Sequence, residues 1–298
     1  MSQNRLLFTL DGNASLQQAL QQRLSLQRGD CEIRHFPDGE SYVRVHSDCR
    51  DSDVAILCNL HDPDRIILPL LFLVGTLREL GAKRVGLLAP YLAYMRQDAR
   101  FNPGEAISSR HFAALLSGQV DWLVTVDPHL HRFNTLSQLY TIPSQVVYAA
   151  PLVAEFIRQQ IHTPLLIGPD QESEQWVAAI AADVGCPYQV LQKKRHGDRE
   201  VEVSLPQTEH FRQHTPVLLD DMVSTGHTML AAIGHLKKMQ MQAPVCVATH
   251  GLFVEEASQR LLAAGAERVI SCNSVPHASN AIDLSPVLVP AVQSFLSM

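Results

Sequence analysis

Seven short apolar runs alternate with helical patterns along this chain, and that alternation restricts the possible folds more than any other feature. The runs are Asp53 to Leu60, Arg84 to Ala89, Trp122 to Val126, Pro164 to Ile167, Pro216 to Leu219, Val245 to Thr249 and Arg268 to Cys272. They are apolar nearly throughout rather than at every second position, as strands covered on both faces must be. Helical patterns fill the gaps over 64–81, 107–118, 151–161, 172–184, 227–240 and 255–264. Strand, helix and strand in repetition predict an α/β fold, a mostly parallel sheet flanked by helices.

At 298 residues the chain has room for two medium domains. Residues 54–92 and 217–253 read as distant copies: each runs strand, acidic loop, helix, strand, and each is followed by a further strand ending in Pro-His, Pro128-His129 and Pro276-His277. A duplicated α/β unit is expected, with a boundary in the turn-rich segment 141–151. The expected domains are 1–145 and 146–298, the last residues returning to the first domain.

Charge excludes some functions. Lys plus Arg is 24 against 30 for Asp plus Glu, a net charge of −6, so no basic field is available to hold nucleic acid or an anionic membrane. The most apolar stretch, Ile66 to Val74, is far too short for a bilayer span, and the first residues have no apolar core of a secretory signal. A soluble, cytoplasmic protein is expected. The six cysteines are dispersed, with neither Cys-x-x-Cys nor zinc-like Cys/His spacing, which suits reduced thiols used in packing.

The most informative segment is Leu218 to Met229: an apolar strand, the carboxylates Asp220 and Asp221, then Ser224-Thr225-Gly226-His227-Thr228 opening a helix. Small residues at a helix N-terminus present backbone N–H groups and hydroxyls to a phosphate monoester. The two aspartates would face ribose hydroxyls, or a metal held by them. The plainer alternative is an ordinary helix start capped by Ser224 or Thr225, with the aspartates as surface charge.

This segment resembles the phosphoribosyl-diphosphate binding loop of type I phosphoribosyltransferases and ribose-phosphate diphosphokinases. The rest of the chain favours the diphosphokinases. His35 to Val45, Tyr94 to Asp98, Ala106 to Ser109, Thr125 to His129, Gly168 to Asp170, Lys193 to Arg195 and the loop from Asp220 to Thr228 occur in the order of that family and span nearly the whole chain. The resemblance implies two phosphoribosyltransferase-like domains, the first on the ATP side and the second on the ribose 5-phosphate side. The implied activity is transfer of the β,γ-diphosphoryl group of ATP to the anomeric hydroxyl of ribose 5-phosphate, giving 5-phosphoribosyl 1-diphosphate and AMP.

It implies residue roles as well. Lys193 and Arg195 are the cations of a loop that closes on the transition state. Arg96 and Gln97 hold the phosphates and base of ATP, and Phe36, Asp38 and Glu40 form an adenine clamp reaching in from a neighbouring subunit. His129 and Asp170 are ligands of the Mg²⁺ that rides on ATP, with His131 a competitor for the place of His129. Asp220, Asp221, Ser224, Thr225, Gly226, His227 and Thr228 bind ribose 5-phosphate. A homo-oligomer, dimer or hexamer, is implied by the shared ATP site. On the residues alone, Asp38-Gly39 also reads as a hairpin turn and Gln192 to Glu200 as a charged hairpin tip.

The chain departs from the family in places. Ser224 stands where many members have Asp, in the manner of the archaeal-type loop. Gln171-Glu172-Ser173 replaces small residues after Asp170 and brings a negative charge towards phosphates. Phe101 to Glu105 lacks the basic and serine residues of allosterically controlled members. The rival readings are a phosphoribosyltransferase, which needs only one such domain, and a noncatalytic regulatory homologue, which need not keep the cations of the closing loop.

Overall fold

The computed structural model describes residues 4–130, 132–169, 173–196, 200–204 and 208–297, with the backbone alone described within 192–209. The chain divides into two compact units, one of Met1–Tyr148, Ser274–Pro276 and Leu284–Met298, the other of Ala149–Asn273 and His277–Asp283.

In the first unit the order is β1 (Arg5–Leu10), α1 (Ala14–Leu24), β2 (Gln27–Arg28), β3 (Cys31–His35), β4 (Ser41–Val45), β5 (Asp53–Cys58), α2 (Pro63–Glu79), β6 (Arg84–Ala89), α3 (Ser108–Ser117), β7 (Trp122–Val126) and β8 (Ser144–Val147). The second unit runs α4 (Ala150–Gln160), β9 (Pro164–Gly168), α5 (Glu174–Val184), β10 (Tyr188–Val190), β11 (Gln192–His196), β12 (Glu200–Ser204), β13 (Thr215–Val223), α6 (His227–Lys238), β14 (Val245–Gly251), α7 (Ala257–Ala264), β15 (Arg268–Cys272) and β16 (Asn280–Ile282). The C-terminal helix α8 (Ser285–Leu296) belongs to the first unit.

The units repeat one topology. Six strands pair in the order β2-β1-β5-β6-β7-β8 in one and β10-β9-β13-β14-β15-β16 in the other, and every neighbouring pair is parallel. Each unit has a separate two-stranded antiparallel hairpin at the same place in the chain order, β3–β4 and β11–β12. The α/β fold of mostly parallel sheets is thus the one the alternation of patterns predicts, and the strand-helix-strand repeats are β5-α2-β6 and β13-α6-β14.

Burial follows from the parallel pairing. All six residues of β5 are buried, including Asp53, whose carboxylate accepts from Arg84 Nε at 2.9 Å and Nη2 at 3.0 Å on the adjacent strand. That bidentate pair lets a charge sit inside the sheet. In the second unit, Ile167, Leu218, Cys246 and Ala248 of the sheet pack with Met229, Ala232 and Ile233 of α6 and with Ala257 and Leu261 of α7. None of the six cysteines, all of them among the described residues, forms a disulfide.

Candidate active site

In parallel α/β sheets, polar loops at the carboxyl ends of strands form the sites, and several of the segments expected to carry chemistry follow such strands in both units. In the second unit, β13 extends further than its apolar core suggests, through Asp220, Asp221 and Met222 to Val223, because Met222 pairs with His250 and Val223 with Gly251. Ser224 and Thr225 follow, and Gly226 at φ 71° turns the chain into α6 with no side chain capping the helix. Left-handed backbone favours glycine, and an uncapped helix start leaves its first N–H groups for a ligand. The Thr225 hydroxyl lies 3.3 Å from His227 Nδ1. Thr228 is half-buried, and His227 is exposed.

Asp220 and Asp221 are half-buried, and they occupy different faces. Asp220 is in register with Ala248 and two residues beyond Leu218, which puts it on the face covered by α6 and α7. Consecutive strand residues alternate, so Asp221 lies on the other face. Adjacent in sequence, the two carboxylates do not form a chelating pair on one side of the sheet.

In the first unit, the segment after β6 carries Tyr94 to Asp98, and the segment after the neighbouring β7 carries His129. Arg96 is exposed and Gln97 half-buried, its side-chain carbonyl accepting from the Ser108 hydroxyl at the start of α3. Asp98 is buried and accepts from Arg132 Nη1 at 2.7 Å, while the Arg132 guanidinium lies 5.2 Å from the Phe101 ring. This ion pair ties the Arg96-Gln97 segment to the one bearing His129. Neither Asp98 nor Arg132 was singled out as a contact by sequence reasoning, since 34 residues separate them. His129 is half-buried, two residues after Asp127, whose φ of 34° is itself an uncommon conformation for a residue with a side chain.

Tyr94 has a φ of 59°, and its hydroxyl donates to Asp64 in the first turn of α2. That hydrogen bond, helped by burial, pushes the phenol up from 10.0 to about 12. A folded-state pKa above the unfolded one means stability that is complete below the unfolded value and is lost as pH rises through the folded value. The loss therefore falls between pH 10.0 and about 12. Urea denaturation across this range should show a shallower decline for Tyr94→Phe than for wild type. Parallel curves would mean that the contact contributes nothing.

The hairpin β3–β4 presents Phe36, Asp38 and Glu40 at an exposed tip. Gly39 at φ 95° makes the turn, with Phe36 N–H donating to Glu40 O at 2.8 Å and Gly39 N–H to Phe36 O at 2.9 Å. Phe36 remains 40% exposed, held edge-on to Tyr42 at 5.9 Å with the Arg34 guanidinium 4.9 Å from its ring. The turn and the clamp readings of this segment are compatible.

Lys193 and Arg195 occupy alternate positions of β11, in register with Val203 and Val201 of β12, so the segment is a two-stranded hairpin. Asp170 lies outside the described residues, as do His131, Gln171 and Glu172. Among the described residues no group of three or more His, Cys, Asp or Glu side chains is placed to hold a metal, and no helix is long and apolar enough to cross a membrane.

Residues 5–119 match the N-terminal domain of ribose phosphate pyrophosphokinase, and residues 135–286 match the phosphoribosyl transferase domain. A ribose-phosphate pyrophosphokinase of Methanopyrus kandleri is 33% identical over 291 residues, covering 97% of this chain and 98% of its own. The ribose-phosphate pyrophosphokinase of Saccharolobus solfataricus is 32% identical over 276 residues, covering 90% and 93%. The crystal structure of phosphoribosylpyrophosphate synthetase from Mycobacterium smegmatis matches 99% of both chains with a TM-score of 0.85 at 24% identity, a likeness of fold. Matches at such identity over nearly the whole length carry the family with them, and the chain belongs to the ribose-phosphate pyrophosphokinases, a family of enzymes.

Proposed function

We propose that this enzyme transfers the β,γ-diphosphoryl group of ATP to the C1 hydroxyl of ribose 5-phosphate, releasing AMP. The observation that carries the reading furthest is the start of α6: an uncapped helix N-terminus entered through left-handed Gly226, in the loop that follows the strand bearing Asp220 and Asp221. It suits a phosphorylated sugar, with the 5-phosphate on Ser224 to Thr228 and the ribose hydroxyls at the end of β13, where Asp220 and Asp221 would approach them from opposite faces of the strand. The first unit supplies the ATP side. Arg96 offers a planar guanidinium to phosphate oxygens, and Gln97 keeps its amide nitrogen for the base while its carbonyl is engaged by Ser108.

Bond making is from the sugar O1 to the β-phosphorus, and the bond broken joins that phosphorus to the bridging oxygen, which leaves with AMP. The hydroxyl proton is released to solvent as the new bond forms, and the electron pair of the broken bond leaves on the AMP phosphate. Negative charge gathers on the equatorial and leaving oxygens, so the protein's task is to place cations there and keep water away. Lys193 and Arg195, at alternate positions of the β11–β12 hairpin, are assigned that task. Mg²⁺ prefers oxygen donors and keeps several waters, needing one or two protein ligands when it arrives on a nucleotide. Asp170 would offer such an oxygen; His129, a nitrogen donor and an unusual Mg²⁺ ligand, is assigned beside it on the family resemblance, and the metal's contribution when bound would be to neutralise phosphate charge. The exposed Phe36, Asp38 and Glu40 are assigned to the adenine of a neighbouring subunit's ATP, which requires a homo-oligomer. We place the enzyme in the cytoplasm.

The test is AMP release from ATP and Mg²⁺ with and without ribose 5-phosphate. Sugar-dependent AMP is expected. A folded protein giving no AMP with any divalent metal would overturn the reading in favour of a noncatalytic homologue. Release of diphosphate from 5-phosphoribosyl 1-diphosphate on addition of a nucleobase would favour a phosphoribosyltransferase.

A further inference from the structure

The phosphate loop does not stand alone: α7 lies against it, and one face of that helix is built around the loop's backbone. Residues three and four apart share a helix face. Ala257, Arg260 and Leu261 are such a set. A Cβ placed on Gly226 would lie 3.6 Å from Ala257 Cβ and 3.7 Å from the Leu261 methyl groups, so these two side chains floor the loop. Arg260 Nη2 donates to the Thr225 carbonyl at 2.5 Å. The base of this arrangement is tied to the sheet, since the N–H groups of Leu252 and Phe253 both donate to Val223 O, at 2.9 and 3.1 Å. The chain reaches α7 through Phe253, Glu255 and Glu256 at φ 41°, 53° and 56°. Left-handed backbone at three such residues is costly, and the segment it shapes brings Glu255 within 3.9 Å of Arg260 Nη1.

We propose that Arg260 is a positioning residue for the sugar phosphate, acting through the peptide between Thr225 and Gly226. This inference rests on the reading that the 5-phosphate binds the loop. Among the described residues no peptide is cis, and in a planar trans peptide the C=O and the following N–H point in opposite directions. By holding the Thr225 carbonyl towards α7, Arg260 aims the Gly226 N–H away from α7. A guanidinium on the carbonyl also polarises that peptide, making its N–H a stronger donor to an anion. Gly226 can adopt the required left-handed conformation, but glycine is equally at ease in others, so the conformation has to be imposed from outside. Arg260 and the apolar floor of Ala257 and Leu261 impose it.

The test is calorimetric binding of ribose 5-phosphate without ATP, together with steady-state kinetics, for wild type, Arg260→Met and Arg260→Lys. Losing one charge-assisted hydrogen bond that orients the donor should weaken ribose 5-phosphate by about tenfold or more in both Kd and KM. KM for ATP and kcat at saturating sugar should stay within about twofold. Arg260→Lys keeps a cationic donor and should recover most of the affinity. A merely structural role would instead lower the melting temperature and change both KM values together, and that result would overturn the proposal. So would unchanged sugar affinity in folded Arg260→Met, or in Arg260→Gln should the Met variant not fold. Failure of the wild type to bind ribose 5-phosphate would overturn the loop assignment itself, and the inference with it.

Discussion

Replacing Lys193 by Ala should lower kcat for sugar-dependent AMP release by roughly a thousandfold, about 4 kcal/mol of transition-state stabilisation, with KM for ATP and ribose 5-phosphate changed only a few-fold. The reason is when the charge appears. On the proposed reading, the ground-state phosphates of ATP already have their own partners, Arg96 among them. The extra negative charge of the displacement exists only in transit, and in the role proposed for Lys193 the cation meets that charge only then. An interaction made only in the transition state shows in kcat and not in KM. Arg195, two positions along β11, should behave alike, with a larger share of binding because a guanidinium can hold two phosphate oxygens at once. A Lys193→Ala enzyme with intact kcat and a raised KM for ATP would remove the closing role and make the lysine an ordinary nucleotide contact.

Gly86→Val should destabilise the first unit by roughly 3 kcal/mol or more, the upper part of the range for overpacking a core. A Cβ at Gly86 would fall 1.7 Å from Trp122 Cε2 and 2.1 Å from its Cδ2, because the indole lies flat on the glycine of the strand paired with it. Trp122 is 2% exposed, and its other face is stacked on Phe295 of α8, centroids 5.0 Å apart and planes within 4°. The ring therefore has no direction in which to yield without prising the C-terminal helix off the sheet. Urea denaturation followed by tryptophan fluorescence measures the effect. A midpoint within error of wild type would show that Trp122 has another position to move to. Gly86 also illustrates why a glycine inside a strand deserves suspicion of a close approach rather than a turn.

Much of this fold is legible in the order of residues. The strands Arg84–Ala89, Trp122–Val126 and Arg268–Cys272 begin and end where their apolar runs do, and in the first two nearly every residue is buried, since a strand covered on both faces has no reason to be anything but apolar. The hairpin turn at Asp38-Gly39 is equally plain. Other elements escaped for physical reasons. Helix α1 is rich in glutamine and buries only a narrow stripe of Leu16, Leu20 and Leu24. Helix α8 contains Pro290 in its interior, a residue that argues against a helix, yet packing of Phe295, Val292 and Leu288 overrides local preference. The expected helix 255–264 starts at Ala257, because Glu255 and Glu256 take left-handed backbone that no propensity predicts.

By itself the sequence determined the α/β class, the family resemblance and the segments that carry chemistry, because these rest on local pattern: apolar periodicity, acidic residues after a strand, small residues before a helix. Only the tertiary structure decided how those segments are supported. Asp220 and Asp221 fall on opposite faces because β13 stays paired as far as Val223. Arg132 reaches Asp98 across 34 residues and Arg260 reaches Thr225 across 35. The hairpins bearing Phe36 and Lys193 are equivalent places in two copies of one topology. Such contacts depend on which strands become neighbours, and strand order is settled by the burial of whole faces against one another rather than by any stretch of residues read alone.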